Sequence, residues 1–174
     1  MRSVFTARQM RNADIYCEQK LNIPSLTLMS KAALALAKVC TKTVDAQSPV
    51  LFLCGKGNNA GDGFAAARIL KELGYQVTVA LLCGKEFSPD AAVMFRTVPA
   101  SLLKEDEKEI TTAISEATLV VDCVYGTGFR GELPENVKRI FDAVRSKKII
   151  ACDIPSGISC DDGKVSDGAL RAST

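Results

Sequence analysis

Val50-Leu-Phe-Leu-Cys54 followed directly by Gly55-Lys-Gly-Asn-Asn-Ala-Gly-Asp-Gly63 decides the fold. The first five residues are all apolar, the pattern of a strand buried on both faces. In the turn after them, Gly55-x-Gly57-x-x-Ala60 lets the chain reverse tightly and brings backbone amides close to an anion at a helix N-terminus. The helix that follows places Ala66, Ile69, Leu70 and Leu73 on one face and stops at Gly74, where a left-handed residue suits a helix end. Val77–Leu82 reads as the next strand. Strand, phosphate-type turn, helix and strand in this order specify a parallel sheet with covering helices.

The pattern extends in both directions. Upstream, Thr6-Ala-Arg-Gln9 is a capping box, and Met10, Ala13, Cys17 and Leu21 recur at helical spacing, so a first amphipathic helix covers roughly residues 7 to 20. Ile23-Pro24-Ser25 breaks it; a second helix carries Met29, Ala32, Ala33, Leu36 and Cys40 on one face, and Ser48-Pro49 closes the region. Downstream come a helix around Ser88–Val98, a helix marked by Ile110, Ala113, Ile114 and Ala117, and a third strand at Leu119–Cys123. A helix after Pro134 with Val137, Ile140, Phe141 and Val144 inward then leads to a fourth strand, Ile149–Asp153. The residues after Asp153 read as a loop that stops at Ala-Ser-Thr without a final packed element, which gives the end a truncated look.

Composition narrows the function. A chain of 174 residues with 47% hydrophobic and 24% charged content fits one globular domain. A net charge of +2, with both signs interleaved, leaves no electrostatic footprint for duplex nucleic acid or an anionic membrane. The 7 cysteines include no C-x-x-C pair, which argues against a disulfide framework and a clustered zinc site and favours a reducing compartment. Met1–Thr6 lacks the charged and apolar regions of a leader, and no apolar run is long enough to span a bilayer, so a cytoplasmic location is expected. With no histidine, triads, Cys-His dyads and imidazole metal sites are excluded, and proton transfer falls to Asp, Glu, Lys, Tyr or Cys.

Ligands of open parallel sheets sit beyond the carboxyl ends of the strands, so the exit loops carry the chemistry. A dinucleotide dehydrogenase would hold the ribose with an acid at the end of the second strand, where this chain has Leu82-Cys83-Gly84-Lys85. The first loop instead holds Asn58, Asn59 and Asp62, side chains suited to a polar ligand or ion, or simply to an Asn-rich turn. Asp122 and Asp153 end two later strands and should reach one crevice, there to bind a cation, to act as acid and base, or to cap neighbouring turns. Gly126-Thr-Gly-Phe-Arg-Gly131-Glu132 is a second glycine-rich loop, with Thr127 and Arg130 as phosphate or amide partners. In Asp153-Ile-Pro-Ser156-Gly157 the proline-fixed turn would aim Ser156 inward. Cys54, Cys123 and Cys152 at strand ends read as buried thiols, and Tyr125 as a stacking or rim residue.

Three ordered motifs together, Gly55-x-Gly-Asn-Asn-Ala-Gly-Asp-Gly63 with Arg68 beyond it, Val121-Asp122-Cys-x-Tyr-Gly126-Thr-Gly128 and Asp153-Ile-Pro-Ser-Gly157, resemble the NAD(P)H-hydrate epimerase family, also called the YjeF N-terminal domain family. Ile23-Pro-Ser-Leu-Thr-Leu-Met29 extends the resemblance over nearly the whole chain. It implies an α/β fold, a Rossmann-like three-layer α/β/α domain with a mostly parallel sheet preceded by two helices. It also implies interconversion of the R and S forms of hydrated NADH and NADPH, which a partner dehydratase restores. By the same resemblance Asn58, Asn59, Ala60, Gly61 and Asp62, with Gly126, Thr127, Gly128, Phe129, Arg130, Gly131 and Glu132, contact the hydrated dinucleotide, as does Asp153. The resemblance further implies that Asn59, Asp122 and Ser156 would hold a potassium ion, and these hard oxygen donors suit an alkali cation.

Inverting the carbon that bears the added hydroxyl needs a proton acceptor and donor near the nicotinamide ring, for which Asp153 is the first candidate and Asp122 the second. An Asp122 committed to the cation would have a low pKa. Family members commonly carry Met-Glu-x-Ala-Gly where this chain has Met29-Ser30-Lys31-Ala32-Ala33, so that glutamate is lost or replaced. Without further C-terminal strands an edge strand is left open, and the dehydratase could follow in the same polypeptide. The small residues of the second helix suit a homodimer interface or plain core packing. A non-catalytic nucleotide-binding or protein-interaction module of the same fold is the alternative function.

Overall fold

A computed structural model describes residues 5–173, so the reading of Met1–Val4 as free of a leader, and the final Thr174, lie outside the described residues. Among the described residues five strands form one sheet: β1 (Val50–Cys54), β2 (Val77–Leu81), β3 (Leu103–Lys104), β4 (Leu119–Cys123) and β5 (Lys148–Ala151). Every pairing is parallel and the order is β3-β2-β1-β4-β5. The chain begins in the centre, winds outward through β2 and β3, then returns to the other side of β1 for β4 and β5. That reversal makes the β1/β4 boundary a topological switch point, where diverging exit loops open a crevice.

Among the described residues six α-helices accompany the sheet: α1 (Ala7–Leu21), α2 (Ser25–Thr43), α3 (Asn58–Glu72), α4 (Pro89–Phe95), α5 (Glu107–Glu116) and α6 (Glu135–Val144). Strand alternation sorts the core into two layers. Val50, Phe52, Val79 and Val121 join Leu36 and Ala37 of α2 and Phe64, Ala67 and Leu70 of α3 on one face. Leu51, Leu53, Val120 and Ile149 join Ile110 and Ile114 of α5 and Val137 and Phe141 of α6 on the other. The three-layer arrangement anticipated from the sequence is present.

Several details differ from the expectation. β3 escapes sequence reading because a two-residue strand has too few positions to show alternation. β5 ends at Ala151, so Asp153 lies in an exposed bend beyond it. The helix placed at Ser88–Val98 is shorter, Pro89–Phe95. On α2 Ala32 is exposed and Ala37 is buried instead, and on α3 Leu73 is 59% exposed at the helix end.

α1 departs most. Its capping box forms as expected, with Gln9 N–H donating to Thr6 Oγ1 at 3.2 Å and Thr6 N–H donating to Gln9 Oε1 at 2.8 Å. Yet only Ala7 is buried, while Met10 and Leu21 are 42% and 52% exposed. Helical spacing correctly predicts the helix, but whether its apolar face meets anything is a long-range matter. The tail is also more anchored than expected: Leu170 is buried in the second core layer, and Ser173 N–H donates to Ile149 O of β5 at 2.7 Å.

Candidate functional site

Asp122 is the next-to-last residue of β4, flanked in register by Leu53 of β1 and Ala151 of β5. It is 0% exposed, an arrangement sustained only if its oxygens are satisfied. Asp122 Oδ1 accepts from Val124 N–H at 3.1 Å and from Ser156 Oγ at 2.6 Å, and Oδ2 accepts from Ser156 N–H at 2.7 Å. Ser156, equally buried, accepts in turn from Tyr125 N–H at 2.8 Å. The turn after Pro155 thus aims Ser156 inward, as its sequence suggests. Burial pushes the Asp122 carboxyl up to about 6, with the Ser156 and Val124 bonds pulling the other way. The low value expected for a cation-committed Asp122 therefore does not arise from the protein alone, because burial outweighs the hydrogen bonds.

Asn59 completes this knot from the β1 side. Its Nδ2 donates to Tyr125 O at 2.9 Å, while its Oδ1 is, among the described residues, the buried side-chain polar atom with no hydrogen-bond partner. An orphaned buried oxygen costs about 1–3 kcal/mol unless something else satisfies it. With Asp122, Ser156 and the Tyr125 carbonyl beside it, the donors are hard oxygens, which suit an alkali or alkaline-earth cation. Among the described residues no group of three or more His, Cys, Asp or Glu is arranged to hold a metal.

Asp153 stands at the rim, its Oδ2 accepting from Thr127 N–H at 2.8 Å. Gly126 passes so close that a Cβ there would lie 2.5 Å from the same oxygen, so glycine is needed for that approach. Asp62, on the first turns of α3, lies within the electrostatic reach of Asp153 and of Asp14 on α1. Burial first, then these two carboxylates, push its carboxyl up to about 7. Burial pushes the Cys123 thiol well above the usual thiol range, and the neighbouring Cys123 thiol together with burial does the same for Cys152, which makes both packed, protonated groups rather than nucleophiles.

The second glycine-rich loop is braced from inside. Phe129 is buried, its ring 5.2 Å from that of Tyr125. Arg130 Nη1 donates to Thr127 O at 3.0 Å and Phe129 O at 2.6 Å, while Nη2 pairs with Asp161 at 2.5 Å. Gly128, Gly131 and Glu132 are exposed.

The anticipated residues therefore divide. Asn59, Asp122 and Ser156 meet in one network, and Asp62, Asp153 and Thr127 lie beside it. Asn58 turns away, its Oδ1 accepting from Ser88 Oγ at 2.6 Å. Ala60 and Gly61 are buried and spend their amides on Gly57 O, and Phe129 is a packing residue. Sequence reasoning missed Asp14, Asp161 and the Tyr125 carbonyl, whose places depend on contacts across 31 to 154 residues of chain. Two shallow cavities of about 200 and 160 Å³ lie elsewhere, beside Arg145, Ile149 and Arg171 and beside Leu82, Glu105 and Asn136. The second is lined by Glu105, Glu107, Asn136 and Arg139, but neither is lined by any residue of the Asn59–Asp122–Ser156 network.

Residues 25–174 match the family described as YjeF-related protein N-terminus. The chain is 34% identical to an NAD(P)H-hydrate epimerase of Limosilactobacillus reuteri, over 98% of this chain and 82% of that protein. It is 32% identical to an NAD(P)H-hydrate epimerase of Leuconostoc mesenteroides, over 100% of this chain and 79% of the relative. A bifunctional NAD(P)H-hydrate repair enzyme Nnr of Dictyoglomus turgidum is 32% identical over 96% of this chain, which spans 34% of that longer protein. The crystal structure of yeast ynu0 superposes with a TM-score of 0.84 at 22% identity, covering 98% of this chain and 78% of the yeast chain, a likeness of fold. Matching over most of its length both the family and curated relatives above 30% identity, the chain belongs to the YjeF-related protein N-terminus family.

Proposed function

We propose that this protein is an isomerase, an NAD(P)H-hydrate epimerase that interconverts the R and S forms of hydrated NADH and NADPH in the repair of damaged nicotinamide nucleotides. The reading rests on one observation above all: the side chains of Asn59, Asp62, Asp122, Asp153 and Ser156, from three strand exits, converge at the switch point of a chain whose relatives bear that name.

Addition of water across the enamine bond of the reduced ring puts the hydroxyl on the carbon beside the ring nitrogen. Inversion there breaks the C–O bond as the nitrogen lone pair forms C=N⁺, and water re-adds from the other face. The departing oxygen takes a proton that returns when the bond is remade, so the overall reaction consumes nothing. Asp153 is the group assigned to give that proton to the departing oxygen and to take it back when water re-adds, and its rim position beside Thr127 N–H keeps it open to a ligand. Asp62, whose carboxyl titrates at about 7, stands beside it as a group able to keep a proton near neutrality. Two carboxyls in different environments are what acid and base roles require. Phosphates are assigned to the first turn of α3 and to the Gly126–Glu132 loop.

Asn59, Asp122 and Ser156 are assigned to a potassium ion, and the unpartnered Asn59 oxygen supports that assignment. An ion held by these residues would supply positive charge favouring the ionised form of Asp122. A homodimer through α2 is part of the proposal, supported by Ala32, Leu34 and Val39 on its outer side, the latter two 57% and 36% exposed. Light scattering tests it. Among the described residues no helix is long and apolar enough to cross a membrane, and all 7 cysteines are free; the cytoplasm is the proposed location. The proposed partner is an NAD(P)H-hydrate dehydratase, on a separate chain or fused to this one, and the repair enzyme of D. turgidum is described as bifunctional.

The assay adds purified protein to an S-specific dehydratase and a mixture of hydrate epimers. The R form should be consumed at a rate proportional to added protein. No acceleration refutes the epimerase reading, and tight nucleotide binding without acceleration would favour the non-catalytic module.

A further inference from the structure

We propose that Asp161 is a positioning residue of the site, one carboxylate that holds the Arg130 guanidinium with one oxygen and the N-terminus of α1 with the other. Asp161 Oδ2 accepts from Arg130 Nη2 at 2.5 Å, and Asp161 Oδ1 accepts from Ala7 N–H at 2.9 Å.

Each contact meets a need on its own side. Ala7 opens α1, so its N–H has no partner within the helix and lies at the positive end of the helix dipole, where a carboxylate is favoured. Among the described residues this is the hydrogen bond that ties α1 to the rest of the fold. The remainder of α1 is almost wholly exposed, and a 15-residue helix without tertiary support is marginal in water. Ala7 and Asp14 are seven residues apart, two turns along one face, so the contact that fixes Ala7 also sets where Asp14 stands relative to Asp62.

On the other side, Arg130 uses Nη1 to bind the carbonyls of Thr127 and Phe129. A guanidinium is a rigid fork, so orienting Nη2 on Asp161 orients Nη1 on the loop. The loop shape in turn places Thr127 N–H on Asp153. Asp161 thus connects two walls of the crevice, the α1 face and the Gly126–Glu132 loop, from an exposed position of its own.

The kinetic arm of the test rests on the epimerase reading; the exchange arm does not. The variants are D161A, D161N, D161E, R130A and D161A combined with R130A. By hydrogen–deuterium exchange, D161A should speed exchange of the first-turn amides of α1 at least tenfold, D161N should stay within about threefold because its amide oxygen still accepts from Ala7, and R130A should leave α1 unchanged. In the coupled assay D161A should raise KM for the hydrate about tenfold with kcat within about threefold, and D161E should restore most of it. D161A added to R130A should raise KM no further.

Unchanged α1 exchange in D161A overturns the proposal. So does a fall in KM, which would mean that the carboxylate competes with substrate phosphate for Arg130, and so does a full additional KM increase in the double variant. If the wild-type protein shows no epimerase activity, that failure belongs to the functional reading, and the exchange arm still decides the role of Asp161.

Discussion

Replacing Asp62 by asparagine should stabilise the ligand-free protein at pH 8 far more than at pH 5. The Asp62 carboxyl is raised from 3.8 to about 7, first by burial and then by Asp153 and Asp14. A carboxyl whose folded value lies above its unfolded value is a proton the folded state keeps and the unfolded chain releases. Stability therefore falls as pH rises through the window from about 4 to 7. Between pH 5 and pH 7 the folded side chain is largely protonated and the unfolded one ionised, and each pH unit is worth about 1.4 kcal/mol. The stabilisation from D62N should thus be about 3 kcal/mol larger at pH 8 than at pH 5; partial solvent access reduces this to about 1.5–3 kcal/mol. For a domain of this size that is a difference of about 4–10 °C in the melting shift. Thermal denaturation by circular dichroism in potassium-free buffer at the two pH values reads it. Asp122 titrates in part of the same window but is common to both proteins and cancels. An equal shift at both pH values, or no stabilisation at pH 8, refutes the reasoning. In the coupled assay the same variant should lose activity, the usual exchange of stability against function at a strained site.

Ser156→Ala strips Asp122 of its 2.6 Å hydrogen bond and leaves Tyr125 N–H without an acceptor. The cost should be about 2–4 kcal/mol by denaturant unfolding, and a loss under about 0.5 kcal/mol would show that the network is not holding the turn. Gly126→Ala puts a Cβ 2.5 Å from Asp153 Oδ2 and must displace that carboxylate from Thr127 N–H. Activity should drop at least tenfold with Tm shifted only a few degrees; full activity would remove Asp153 from the mechanism. Potassium chloride should raise Tm relative to choline chloride at equal ionic strength, and Asn59→Ala, which deletes the unpartnered oxygen, should abolish that difference. An undiminished potassium effect in Asn59→Ala would place the ion elsewhere.

What the sequence by itself determined is the part of this protein whose causes are local. Val50–Cys54 is apolar at every position, so it could only be a strand covered on both faces, and the glycines after it could only begin a helix at a strand exit. Asp122 and Ser156 were legible because a polar residue inside an apolar strand, and a serine after a proline-fixed turn, are conspicuous against their neighbours. Tertiary structure alone decided the rest. The two residues of β3 are a strand only because β2 lies beside them, and Met10 and Leu21 repeat like core residues yet are exposed because none of the described residues covers that side of α1. Asp161 and Ala7 are 154 residues apart, and Asp14 gains meaning only when α1 is laid beside Asp62. Periodicity records how a segment folds upon itself; which distant segment it will meet depends on the closure of the whole chain, and that closure brings the carboxylates together.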